Sequence, residues 1–159
     1  MPEPSPPGTV AEALRIRRSH SFVGRRSEID LFLSAVYPGD SPLTLLWFHG
    51  PGGVGKSALL MELRRRAADL RLATRFVDGR EHLSSPDDLL GAMGDIDSDP
   101  SLPTVVFIDS FERLQHLEHW LRDTFVPSRP VGSLTVVASR SPPSHRWRED
   151  QGWRDLLRV

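Results

Sequence analysis

The sequence predicts an α/β fold, a mostly parallel sheet with helices packed on both faces. Three observations predict it. From residue 43 onward, apolar runs of strand length alternate with amphipathic stretches of helix length, the pattern of parallel strands joined by crossover helices. Two of those runs, 43–49 and 104–108, are apolar almost throughout instead of alternating, as strands buried on both faces are. A glycine-rich turn also stands between the first run and the amphipathic stretch that follows it, a junction typical of such sheets.

Each element follows from local chemistry. Residues 1–8 hold Pro2, Pro4, Pro6 and Pro7 and read as a tail, and 10–18 as a short arginine-bearing helix, so that 1–20 precedes a domain over 21–159. After a turn at 21–25, Ser27 is placed to cap a helix with Asp30 three residues on and Ile29, Leu31, Phe32, Leu33 and Val36 on its apolar side. Residues 37–40 end it. The first strand is 43–49. A helix over 56–70 turns Leu59, Leu60, Leu63 and Ala67 inward and Arg64, Arg65 and Arg66 largely outward, and 73–77 is the second strand. Ser85, Pro86, Asp87 and Asp88 start another helix, with a cap, a proline in the first turn and acids at the positive dipole end. An acidic, turn-rich linker over 95–103 leads into the third strand, 104–108. Residues 111–125 read as one helix burying Leu114, Leu117, Trp120 and Leu121. Residues 134–138 form a fourth strand, 145–150 a short helix, and 156–159 a final apolar stretch.

Composition narrows the function. Hydrophobic residues make 38% and charged residues 26%, which excludes a wholly disordered chain of these 159 residues. Twenty basic against 21 acidic residues give a net charge of −1, removing the whole-chain electrostatic argument for nucleic acid and leaving only local patches. Cysteine is absent, so disulfides, thiolate metal sites and cysteine nucleophiles are excluded. No apolar run approaches the ~18 residues of a membrane span, and the first ten residues lack the order of a signal peptide. A soluble, cytoplasmic chain with no membrane partner is expected. Of the basic residues 19 are arginine, which isolates Lys56 as the one lysine.

That lysine belongs to Gly50-Pro51-Gly52-Gly53-Val54-Gly55-Lys56-Ser57, which fits G-x-x-x-x-G-K-[ST] between an apolar strand and an amphipathic helix. The glycines let backbone N–H groups turn inward onto phosphate oxygens. The start of the helix, through Ala58, adds unpaired N–H groups and its positive dipole end. Lys56 has the reach and charge for the β- and γ-phosphates, and the Ser57 hydroxyl is a ligand for Mg²⁺. Asp109 ends the run Val105-Val106-Phe107-Ile108, where its carboxylate can hold the Mg²⁺ shell. Strands also end in Asp for turn chemistry alone, and the loop earlier in the chain favours the metal role. Ser110 follows. The next acid, Glu112, is a candidate for positioning an attacking water, against a plain role at a helix dipole. Arg140 ends the run Thr135-Val136-Val137-Ala138-Ser139 and is a candidate for stabilising γ-phosphate charge, against a solvated arginine at a strand end. His49 reads as strand-end packing, and His116 and His119 lack a third metal ligand.

Together these segments resemble the nucleotide-binding domain of the STAND class of P-loop NTPases, relatives of the NB-ARC and AAA+ groups. The resemblance is carried by Phe22-Val23-Gly24-Arg25 with Glu28, by Gly50 to Ser57, by Val105 to Asp109 and by Val137-Ala138-Ser139-Arg140, over residues 21–140. It implies a three-layer fold on a five-stranded sheet in order 2-3-4-1-5, with the Arg140 strand between those of Gly50 and Asp109 and the last strand cut short near Val159. It implies ATP or ADP with Mg²⁺ as the ligands, Val23 and Arg25 at the adenine or ribose, and Arg140 as the arginine that distinguishes triphosphate from diphosphate. Ser110 stands where similar ATPases often carry a second acid, which implies slow hydrolysis. Trp147 and Trp153 fit the region before the fifth strand as packing residues. The chain then reads as a fragment of a longer protein, with effector domains or self-association supplying the output.

The functional expectation is a Mg²⁺-ATP/ADP switch of a regulatory, weakly hydrolytic ATPase. Two others stand beside it. A small-molecule kinase would use the same loop, with 141–148 as its lid. A DNA-associated AAA+ ATPase would set Arg15, Arg17, Arg18, Arg25 and Arg26 against phosphates. Such a run is more often a solvated helix face, and no DNA-reading motif is visible.

Overall fold

The apolar runs pair as one parallel sheet. A computed structural model describes residues 9–11, 25–37, 43–94 and 103–159. Strands β1 (Leu45–His49), β2 (Ala73–Asp78), β3 (Thr104–Asp109), β4 (Leu134–Ser139) and β5 (Leu157–Arg158) lie in the order β2-β3-β4-β1-β5, and every pairing is parallel. This is the expected order. The fifth strand is brief, Leu157 and Arg158 pairing with Leu45 and Leu46. All residues of β3 and β4 are buried, which is why these runs are apolar without alternation.

Helices α1 (Arg26–Val36) and α2 (Lys56–Asp69) cover one face. Ile29, Phe32, Leu59, Leu60, Leu63 and Ala67 meet Leu46, Val105, Phe107 and Val136 there. The other face carries α3 (Pro86–Met93) and a helical segment over 111–128. Its core joins Trp47, Ile108, Phe111, Leu121, Phe125 and Val137 to Trp147 and Trp153. Successive strand residues point to opposite faces, so Val105 and Phe107 enter one core while Val106 and Ile108 enter the other. Each fully buried side chain of this size contributes about 1.5–3 kcal/mol.

Several local expectations change. Ser27 does not cap α1; Arg25 is the N-cap, its carbonyl accepting from Ile29 N–H at 3.2 Å, and Ser27 instead donates its hydroxyl to Glu28 at 2.8 Å. Residues 111–125 are not one helix. Two 3₁₀ turns, Phe111–Arg113 and Gln115–Leu117, lead into a short α turn, Glu118–Trp120, and a π turn, Leu121–Phe125. His49 is exposed, not packed. Ser85 does cap α3, in a reciprocal box with Asp88 and with Pro86 in the first turn. Arg65 is exposed as expected, whereas Arg64 lies 5.4 Å over the Phe76 ring and Arg66 pairs with Glu62 at 2.9 Å. Of the expected N-terminal helix only Val10 and Ala11 fall within the described residues, and both are helical. Most of the 21–25 turn, the 38–40 helix end and the 95–102 linker lie outside them.

Candidate nucleotide-binding site

β1 delivers the chain into the glycine-rich loop at the carboxyl end of the sheet. Gly53 and Gly55 adopt φ of 82° and 83°, left-handed values that a side chain would strain. Gly55 is the N-cap of α2 and offers no side-chain acceptor. The first helical bond runs from Leu59 N–H to the Gly55 carbonyl at 2.9 Å, so Lys56, Ser57 and Ala58 keep N–H groups without an intrahelical acceptor. Residues 51–55 are exposed. The Lys56 ammonium donates to the carbonyls of Gly50 at 2.6 Å and Pro51 at 2.8 Å, which holds its charge over the first two loop residues. An exposed loop, a helix start with unpaired N–H groups and a tethered cation together fit a polyphosphate.

Asp109 is 4% exposed at the end of β3. Its Oδ1 accepts from Ser110 N–H at 2.7 Å, and Ser110 turns the chain with a left-handed φ of 55°. The neighbouring strand end is Asp78, in register with Asp109. Asp78 is held by Arg80 at 2.6 Å, and that hydrogen bond keeps its carboxyl below the usual range. Between the two strand ends, Gly79 N–H donates to the Asp109 carbonyl at 2.8 Å. A Cβ on Gly79 would stand 2.6 Å from the Ser110 carbonyl oxygen. Gly79 was not among the residues the sequence pointed to; a glycine directly after an apolar strand was its one visible sign.

Arg140 begins where β4 ends, and β4 lies between β3 and β1. Its guanidinium lies beside Gly52, with Cζ 3.8 Å from where a Cβ would stand. Glu112 reaches it from the first 3₁₀ turn after β3. Glu112 Oε2 accepts from Arg140 N–H at 3.1 Å and Oε1 lies 3.4 Å from Arg140 Nε. The structure therefore brings the loop, Asp109, Glu112 and Arg140 to the carboxyl ends of three adjacent parallel strands, where open α/β sheets bind ligands. Arg25 is drawn to the loop too, donating to the Val54 carbonyl and to Glu28, the latter at 2.7 Å. Val23 lies outside the described residues.

The remaining candidates take other partners. His119 contacts Asp123 at 2.7 Å, and the described residues hold no cluster of three or more His, Asp or Glu arranged for a metal. The 141–148 segment is tied down at several points. Trp47 Nε1 donates to the Ser141 carbonyl at 3.1 Å, and Glu118 Oε1 accepts from Ser144 N–H at 2.8 Å and Trp147 Nε1 at 2.7 Å. Among the described residues no helix is long and apolar enough to cross a membrane.

No family model matches the sequence, and no curated protein is similar to it. Solved structures do match in fold. A DNA replication initiation factor aligns over 86% of this chain and 46% of its own, with TM-score 0.55 and 16% identity. Replication initiator DnaA bound to AMPPCP and single-stranded DNA aligns over 84% and 45%, with TM-score 0.52 and 18% identity. Drosophila ORC on AT-rich DNA aligns over 87% and 53%, with TM-score 0.51 and 12% identity. The chain spans about half the length of these structures. What the chain shares with these structures is the fold, a mostly parallel five-stranded sheet with helices on both faces.

Proposed function

We propose that this chain is the nucleotide-binding core of an AAA+-type Mg²⁺-ATP/ADP switch with slow hydrolysis. The observation that carries the reading is the convergence of the Lys56 loop, Asp109 and Arg140 on three adjacent strand ends. In this reading Lys56 swings from the Gly50 and Pro51 carbonyls onto the β- and γ-phosphates, while the N–H groups of 52–58 take the remaining phosphate oxygens. Ser57 and Asp109 would hold Mg²⁺, which neutralises charge on the phosphates when bound. Arg140, beside Gly52, answers the terminal phosphate and so separates triphosphate from diphosphate. Arg25, through Val54, ties the segment before α1 to the loop. Ser110 has no carboxylate with which to activate water, which supports slow turnover and hence a switch more than a motor.

Two settings for such a switch were open, signalling in the STAND manner and work on DNA. The fold likeness favours DNA, because two of the matched structures, replication initiator DnaA and Drosophila ORC, are bound to it. Arg80, Glu81, His82, Arg113 and His116 line a cavity of ≈ 430 Å³ next to the β2 and β3 ends, where Arg80 is already paired with Asp78, so the cavity itself adds no argument for DNA. The STAND resemblance of Phe22 to Arg25 and of Val137 to Arg140 remains compatible with the same switch. The kinase reading is weakened by its lid, since 141–148 is anchored through Trp47, Glu118 and Trp147.

A thermal-shift experiment tests the site. Mg²⁺-ADP or Mg²⁺-ATP at 100 times Kd should stabilise the chain by about 2.7 kcal/mol, a rise on the order of 5–10 °C at this size. Mg²⁺-GTP should do less, and Lys56→Ala should abolish the rise. A folded chain that no nucleotide stabilises would sink the reading. In a second arm, single-stranded DNA affinity should fall with salt at a slope of about −0.7 per phosphate contacted; no DNA binding at low salt returns the switch to a signalling role.

A further inference from the structure

The geometry points to Glu112 as the positioning residue of Arg140, a carboxylate that aims the arginine at the terminal phosphate instead of a base that activates water. This inference rests on the nucleotide-switch reading above. The Arg140 side chain is 67% exposed and Glu112 only 21%. A long arginine leaving a strand end samples many rotamers by itself. Glu112 engages it twice. The main-chain N–H bond to Oε2 fixes where the chain leaves β4, and the ion pair at 3.4 Å between Oε1 and Nε draws the near side of the guanidinium toward Glu112. Among the described residues no protein acceptor takes the two terminal Arg140 nitrogens, and the group lies beside Gly52 of the phosphate loop. A planar guanidinium held by a carboxylate at Nε still presents its outer edge as a two-pronged donor to a second oxyanion.

The same arrangement recurs six residues further along. Glu118 accepts from Ser144 N–H and Trp147 Nε1, so two carboxylates from the segment after β3 grip the segment after β4 at two points. A general base needs a carboxylate oxygen within hydrogen-bond reach of the attacking water. Here both oxygens of Glu112 face Arg140.

The test compares wild type, Glu112→Ala, Glu112→Gln, Arg140→Ala and the Glu112→Ala/Arg140→Ala double variant. Each is checked for fold by circular dichroism and titrated calorimetrically with Mg²⁺-AMPPCP and Mg²⁺-ADP. Wild type should prefer AMPPCP, and Arg140→Ala should erase that preference. Glu112→Ala should lower it about tenfold, and the double variant should do no worse than Arg140→Ala alone. Glu112→Gln, whose amide oxygen still accepts the Arg140 N–H, should retain part of it and guards against a misfolded alanine variant. An unchanged preference in Glu112→Ala would overturn the inference. Equal weakening of both nucleotides would make it a structural prop and overturn it as well. A wild-type chain that binds both without preference refutes the aiming role, whereas one that binds neither removes the switch reading underneath it.

Discussion

At the scale of single residues, the site depends on close approaches that only glycine permits. Gly79 packs against the backbone of Asp109 and Ser110, and a Cβ there would stand 2.6 Å from the Ser110 carbonyl and 3.0 Å from that of Asp109. Both neighbours are backbone, so neither moves aside at little cost. Gly79→Ala should therefore destabilise the chain by about 1–3 kcal/mol, the usual range for overpacking, measurable as a lower urea midpoint. It should also weaken Mg²⁺-dependent nucleotide binding by displacing the end of β3, whereas Gly91→Ala, with open space around its Cβ position, should not. Gly79 was hard to read in advance because its requirement comes from a neighbouring strand about 30 residues away in sequence. The positions of Lys56 and Ser57 at the start of α2 and of Asp109 at the end of β3 were legible because contiguous motifs and strand ends set them. The Glu112 grip on Arg140 lay between these cases: both residues were visible as candidates, but their contact exists only once β3 and β4 pair.

At the scale of elements, pitch follows the spacing of apolar side chains. Phe111, Leu114 and Leu117 are three apart, and Leu117, Leu121 and Phe125 are four apart; all five are buried in one core. A 3₁₀ turn places residues three apart on one line, and a wider turn does so for residues four apart. The segment accordingly begins as 3₁₀ and ends as π. Reading 111–125 as one α-helix found Leu114, Leu117 and Leu121 but counted the half-buried Trp120 and did not name Phe111 and Phe125, because the average of the two spacings concealed two different pitches. The start of α3 was legible for the opposite reason, since Ser85, Pro86 and Asp88 act within one turn. Ser85→Ala should cost about 1 kcal/mol of stability. Asp88 adds a pH dependence. Backbone hydrogen bonding from Ser84, then the Ser85 side chain, lowers its carboxyl below the ordinary 3.8. A depressed folded value means that the unfolded chain binds the proton more readily. The stabilisation is thus complete above the unfolded value and lost as pH falls through the folded one. The stability gap between wild type and Asp88→Asn, followed by urea unfolding, should be present near neutrality and close in acid.

At the scale of the whole molecule, one sheet couples two separate cores. Trp47, Trp147 and Trp153 lie in the core on the α3 face, with Trp120 packed against it, and no tryptophan belongs to the core under α1 and α2. The rings interlock, Trp47 with Phe111 at 5.1 Å, Trp47 with Trp147 at 6.1 Å and Trp147 with Trp153 at 4.8 Å. With all four tryptophans on that side, intrinsic fluorescence reports one layer alone. Far-UV circular dichroism reports both. β1, β3 and β4 send alternate side chains into each layer, as Leu46 and Trp47 or Phe107 and Ile108 do, so neither core can open without loosening strands that the other needs. Leu60 is fully buried in the layer without tryptophan. Leu60→Ala should cost about 2–5 kcal/mol and lower the melting midpoint by on the order of 5–15 °C. The fluorescence midpoint should fall by the same amount as the dichroism midpoint, even though the substitution touches no tryptophan. A fluorescence transition left in place while the dichroism midpoint drops would show that the layers unfold separately. The carboxyl ends of β1, β3 and β4, where the loop, Asp109 and Arg140 meet, would then lack the single rigid frame that a nucleotide switch requires.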